Sequence, residues 1–170
     1  MFVFGHIGIG RKLAQPWSRG LPAVPLIVGM LLPDLIDKPL YYARISDFFS
    51  CTRTIGHTGV LLAAILLAAL LTRSRALWAL GLGVATHLAL DCFADLFSSE
   101  ESSAWIALTW PVLHREFVRY YIPSIQIHFE RLWVTPIIVS ETVGLALLVW
   151  DAWRARQSKG TLAVETTRSS

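Results

Sequence analysis

From Gly59 to Leu71 the chain carries no polar side chain, so a helix built from this stretch is apolar all round, as a lipid-exposed helix is. It closes a segment, residues 55–72, with no charge after His57. Three others, 21–37, 76–97 and 132–150, also approach the about 20 residues that a membrane-spanning helix needs. The first of them carries Pro22, Pro25 and Pro33 and ends in Asp34 and Asp37, which predicts a tilt or unwinding at its polar end. The composition agrees: 54% of residues are hydrophobic and 16% charged, where soluble domains carry about 25% charge. That balance argues against a soluble domain, and the low net charge of +3 argues against disorder.

The N-terminal run Phe2–Gly10 is too short to span and predicts an interfacial or half-inserted helix. It lacks the basic lead and small-residue cleavage site of a signal peptide. Lys and Arg are scattered between apolar stretches and form no basic face, so the pI near 9.1 does not indicate a nucleic-acid partner. They read instead as a topology signal. Arg11, Lys12, Arg19, Arg73, Arg75, Arg154, Arg156, Lys159 and Arg168 fall on one side of the expected bundle, against Lys38, Arg44, Arg53, Arg115, Arg119 and Arg131 on the other. This bias makes the first side cytoplasmic. Trp105, Trp110, Tyr120 and Tyr121 in the 98–131 loop suit a membrane interface, and the Ser/Thr-rich residues 157–170 read as a disordered tail. The expected architecture is all-α: a multi-pass membrane bundle of four spanning helices and a short N-terminal helix, one domain over residues 1–156, with one or two helices in the 98–131 loop.

Charge inside such helices needs a reason. Each Asp at a helix centre costs about 2.5–3.5 kcal/mol, so Asp91 and Asp95 together carry about 5–7 kcal/mol that something must offset. Gly83, His87, Asp91 and Asp95 recur every four residues, along one stripe of a helix. A His and an Asp one turn apart can grip one cation, since imidazole nitrogen and carboxylate oxygen both suit zinc and its neighbours. With consecutive spans antiparallel, Asp34, Asp37, His57, His87 and Asp91 all fall toward one membrane face. Singly each has a plainer reading: Asp34 and Asp37 as water-boundary residues, His57 as a helix start, His87 and Asp91 as a hydrogen-bonded pair, Asp95 as interfacial. Glu141, in the middle of the last span, is costly enough to need a partner and reads as a ligand or supporting group. His114 and His128 read as solvated loop residues, and Cys51 and Cys92 as structural.

Gly5-His6, Leu31-Leu32-Pro33-Asp34-Leu35-Ile36-Asp37-Lys38-Pro39, Arg53-Thr54-Ile55-Gly56-His57-Thr58, His87-Leu88-Ala89-Leu90-Asp91 and Trp110-Pro111 together resemble the membrane-bound metal-dependent hydrolases, also described as LexA-regulated, inner-membrane-associated hydrolases. In many members of that family a single residue separates the two aspartates, whereas Leu35 and Ile36 intervene here, so the ligand is Asp34, Asp37 or both. The order of donors is also similar to that of zinc-dependent phospholipase C. That likeness implies one metal at Asp34 or Asp37, His57, His87 and Asp91, and a second that shares Asp91 and adds His6. The downstream ligands of those enzymes have no counterpart after Asp91. His6 reaches the site only if the N-terminal segment lies antiparallel to the first span, and Gly8 and Gly10 permit such packing.

The expected function is a multi-pass, inner-membrane, metal-dependent hydrolase that cleaves a phosphoester with metal-activated water, on a lipid or lipid-linked substrate, its site on the non-cytoplasmic face. Asp91 and Arg53 are the expected catalytic groups, Arg53 by meeting charge on a phosphoryl oxygen. Nitrogen and oxygen donors without thiolate fit zinc, manganese or iron, and the resemblance favours zinc. The alternative is a non-catalytic membrane protein that binds or carries a divalent cation.

Overall fold

The computed structural model describes residues 3–46, 48, 51–96, 103–114, 116–118 and 135–168. Tyr120, Tyr121, His128 and Arg131 therefore lie outside the described residues, as do Arg115 and Arg119. The elements are α1 (Val3–Ala14), α2 (Ala23–Tyr42), a 3-10 turn (Ile55–His57), α3 (Gly59–Thr72), α4 (Arg75–Asp95), α5 (Ser103–Thr109) and α6 (Thr135–Arg168), with no strand among the described residues.

Local chemistry sets the boundaries that matter for the site. Thr58 has extended backbone, and its hydroxyl accepts the Leu61 N–H at 3.1 Å, so α3 starts directly after His57. Ser74 caps α4 in the same way through the Leu77 N–H at 3.3 Å. Arg73, with φ of 53°, takes the left-handed conformation that ends α3 and reverses the chain into an αα-hairpin.

Two glycine pairs bring helices to backbone contact. A Cβ on Gly29 of α2 would lie 2.1 Å from the Leu80 carbonyl oxygen of α4, and one on Gly83 would lie 2.2 Å from the Leu26 carbonyl oxygen. Gly8 of α1 and Gly144 of α6 are equally close, each Cβ falling 2.1 Å from a carbonyl oxygen of the other helix. Phe4 and Gly5 meet Glu141 while Lys12 meets Asp151, so α1 and α6 run parallel. Ala14 packs with Leu26, whereas His6 lies by Asp34, so α1 is antiparallel to α2, as the approach of His6 requires.

The apolar surface points outward. In α3 only Ala69 is buried, and Val60, Leu67, Leu70 and Leu71 are exposed. In α6 Val139, Val143, Leu145, Val149 and Trp150 are exposed too. Apolar surface on this scale marks contact with something other than water. The centre belongs to α4, where His87, Asp91, Val84 and Leu88 are buried.

Among the described residues, Arg75–Asp95 is the one helix long and apolar enough to cross a membrane, and Gly59–Thr72 is apolar but shorter. One of the four expected spans meets this measure among the described residues, and the expected 132–150 span begins outside them. The 55–72 segment gives its first residues to the 3-10 turn, and α2 carries Asp34, Asp37 and Lys38 in its second half. The helix expected in the 98–131 loop is present as α5. The last helix runs without a break to Arg168, where a disordered tail was expected from residue 157; Gly160 is the one glycine or proline in that stretch, too little to stop a helix already begun.

Candidate metal centre

The site is built around Asp37, whose side chain is fully buried in α2. Its Oδ1 accepts the Thr54 hydroxyl at 2.9 Å and the Gly56 N–H at 2.8 Å, and its Oδ2 accepts the Thr54 N–H at 2.6 Å. The fourth partner is His57, whose Nδ1 lies 2.7 Å from Oδ2. Four hydrogen bonds from one turn occupy this carboxylate and pin residues 54–57 onto α2. The turn can come this close because residue 56 is glycine: a Cβ there would lie 2.5 Å from the Pro33 carbonyl oxygen.

Asp37 accepts, so His57 Nδ1 donates, and in the neutral imidazole the His57 Nε2 lone pair faces inward. His87 is held in the same sense. Its Nδ1 lies 2.7 Å from the Met30 carbonyl oxygen, which can only accept, so its Nε2 also presents a lone pair. The two Nε2 atoms are 3.2 Å apart. Asp91 Oδ2 lies 3.4 Å from His57 Nε2 and 3.7 Å from His87 Nε2. Three polar atoms thus converge in a buried space, an arrangement that a shared proton or a bound cation satisfies.

His6 arrives from α1. Its ring stacks on His87 with centroids 3.8 Å apart, and its Nε2 is 3.5 Å from Asp91 Oδ1. The residue is 1% exposed, yet neither ring nitrogen has a hydrogen-bond partner among the described residues. Buried polar atoms of this kind are rare and call for an explanation. Asp34 Oδ1 lies 3.7 Å from His57 Nε2, and its Oδ2 accepts Lys38 Nζ at 2.6 Å. Two donor groups result, each with atoms within 4.8 Å of one another: His57, His87 and Asp91, and His6, Asp34 and His87. These residue types and this closeness fit a divalent cation, and the orphaned His6 nitrogens fit it as well.

Five of the six expected ligands therefore meet. Asp37, the sixth, belongs to neither group, because its oxygens face the 54–57 turn. Arg53 is also at the site: its Nε lies 3.0 Å from Asp91 Oδ2, and its Nη1 donates to Asp95 Oδ1 at 2.7 Å and to the Ser103 hydroxyl at 2.9 Å. Burial opposes the charge of Arg53, but Asp91 and Asp95 outweigh it and raise the guanidinium pKa above its ordinary value. Asp95, expected at the interface, anchors Arg53 and accepts the Ala104 N–H of α5 at 2.8 Å. Glu141, expected as a ligand or supporting group, accepts the Phe4 N–H at 2.9 Å and the Gly5 N–H at 3.0 Å, which makes it a support. His114 is exposed, as expected of a loop residue. Burial pushes the Cys51 thiol up to about 11, in keeping with a structural cysteine.

Spacing in the sequence signals His87 and Asp91; nothing in it signals the Met30 carbonyl, because a main-chain acceptor has no residue type. Beside the centre, Phe48, Trp110 and Phe117 pack on one another, with Trp110 and Phe117 stacked at 5.1 Å. This cluster covers Cys51 and Ala107, the former two residues from Arg53.

A family model spans residues 2–165 of the chain. The chain belongs to the YdjM inner membrane protein family. As a member of that family it is an inner-membrane protein, which accounts for the outward apolar faces of α3 and α6. The family description gives a location and no chemistry. No curated protein and no solved structure matches the chain.

Proposed function

We propose that this inner-membrane protein is a multi-pass, metal-dependent phosphoester hydrolase, with a divalent cation held by His57, His87, Asp91 and Asp34. The observation that carries the reading is the pair of inward-facing Nε2 atoms of His57 and His87, 3.2 Å apart, with the Asp91 carboxylate beside both. His6, with Asp34 and His87 and beside the other oxygen of Asp91, would help to hold a second cation. Zinc suits an all-nitrogen-and-oxygen set of this kind, and manganese and iron suit it too.

When bound, the cation supplies Lewis acidity, which polarises a phosphoryl oxygen and acidifies water. The residues of the chain do the rest. Asp37 and the Met30 carbonyl fix both imidazoles in the one tautomer that leaves Nε2 available. Arg53 holds Asp91 in place and brings a fixed positive charge to the rim, where a phosphoryl group would sit. The buried walls exclude water from the donors. A lipid or lipid-linked substrate agrees with the aromatic cluster beside Arg53 and with the exposed Ile45, Trp105, Val112 and Leu113.

Metal analysis of the purified protein tests the reading, beside a panel of phospholipid and soluble phosphoesters. Stoichiometric zinc, manganese or iron that is lost in His87→Ala and Asp91→Ala, together with metal-dependent turnover, is the expected result. Metal bound without turnover of any substrate would leave a binding or carrier protein. Metal-free protein would overturn both.

A further inference from the structure

Glu141 stands apart from the donor atoms, yet both its oxygens engage α1. Oε2 accepts the Phe4 N–H at 2.9 Å and Oε1 accepts the Gly5 N–H at 3.0 Å. These are first-turn N–H groups, which have no acceptor within their own helix, and a carboxylate there also meets the positive end of the helix dipole. Two charge-assisted bonds offset the cost of a carboxylate within an otherwise apolar stretch.

The next residue is His6. Its ring nitrogens have no hydrogen-bond partner among the described residues, so no such bond fixes its orientation, unlike those of His57 and His87. The direction in which its ring points is set by the placement of α1 and by its stack on His87. Besides the packing of Ala14 on Leu26 and Ala79, three supports of that placement lie on α6: Glu141 at the first turn, the Gly8–Gly144 contact, and the Lys12–Asp151 ion pair near the end. The contact and the ion pair set distance and direction. Gly144 packs closely against Phe4 and Gly5, and Glu141 supplies the hydrogen bonds from α6 to the turn from which His6 projects.

We propose that Glu141 is the positioning residue for His6: it fixes the register of α1 on α6 so that His6 Nε2 faces Asp91, and so couples one donor of the centre to the last helix. As a statement about metal binding this rests on the proposed function; as a statement about His6 it does not.

The test uses the full chain in detergent, with Glu141→Ala, Glu141→Gln, His6→Ala and the Glu141→Ala/His6→Ala double variant. Two readouts are taken: modification of His6 by diethylpyrocarbonate in chelator-treated protein, and zinc affinity. Glu141→Ala is expected to expose His6 to the reagent and to weaken zinc by about 10–100-fold, as loss of a supporting contact does. The double variant should bind zinc no more weakly than His6→Ala alone, because Glu141 acts through His6. Glu141→Gln, which keeps one acceptor oxygen, should fall between wild type and Ala, and it carries the test if the Ala variant does not fold. His6 staying protected in the Gln and Ala variants, or losses that add in the double variant, would overturn the proposal. If wild type binds no zinc while Glu141→Ala still exposes His6, the positioning role stands and the metal reading falls.

Discussion

Asp37 Oδ2 lies 2.7 Å from His57 Nδ1, and the same carboxylate accepts both the N–H and the hydroxyl of Thr54 and the N–H of Gly56. Asp37 therefore acts on the centre through His57. Asp37→Asn keeps the shape but places an amide donor where four donors already point. It should weaken zinc by about 10–100-fold without abolishing it, whereas His57→Ala removes a donor outright. Asp37→Ala strands buried N–H groups at about 1–3 kcal/mol each and should also lower the melting temperature. Zinc titration and thermal unfolding of the three variants check this ordering.

Gly56 gives a steric version of the same test. A Cβ there would lie 2.5 Å from the Pro33 carbonyl oxygen and 3.1 Å from Asp37 Cγ, so Gly56→Ala must push the turn off α2 and carry His57 with it. Zinc affinity should fall in Gly56→Ala. Gly10→Ala is the control, because its Cβ would first meet the flexible Met30 side chain at 3.4 Å, and its zinc affinity should stay near that of wild type.

The contrast between Asp34 and Asp37 marks how far the sequence could be read. His87 and Asp91 are legible because four residues is one helical turn, so their shared stripe follows from the period alone. Asp34 and Asp37, three residues apart, also share a side of α2, and the period does not say which of them the 53–57 segment covers. That depends on a long-range contact made possible by Gly56. Glu141 and Asp95 announce a need for partners through their cost, but their partners, the N–H groups of Phe4, Gly5 and Ala104, belong to the main chain and have no sequence signature. The helical class and the apolar character of α3 were legible for the opposite reason: they depend on local composition. The length of α3 was not, because its start depends on Thr58 acting as a cap.

Arg53 joins two carboxylates of α4 to α5, and its side chain is 18% exposed. Removing one partner of a largely buried ion pair leaves charge uncompensated, at about 3–5 kcal/mol. Arg53→Ala should therefore unfold at a clearly lower temperature than wild type. Arg53→Lys keeps the charge but has no planar fork to hold Asp91 and Asp95 together, so it should recover only part of the loss. Equal melting temperatures for wild type and Arg53→Ala would mean that this network does not stabilise the fold.

Chelation brings the centre and the fold into one measurement. A cation that binds only the folded chain stabilises it by about 2.7 kcal/mol at a hundred times its dissociation constant. Removing it leaves a proton to join the Nε2 atoms of His57 and His87, 3.2 Å apart. Chelator-treated wild type should therefore melt lower than the zinc-loaded protein, and added zinc should restore it. His87→Ala loses a donor to the cation, so its melting temperature should respond little to chelator or zinc. A zinc response in His87→Ala as large as in wild type would place the cation elsewhere in the chain.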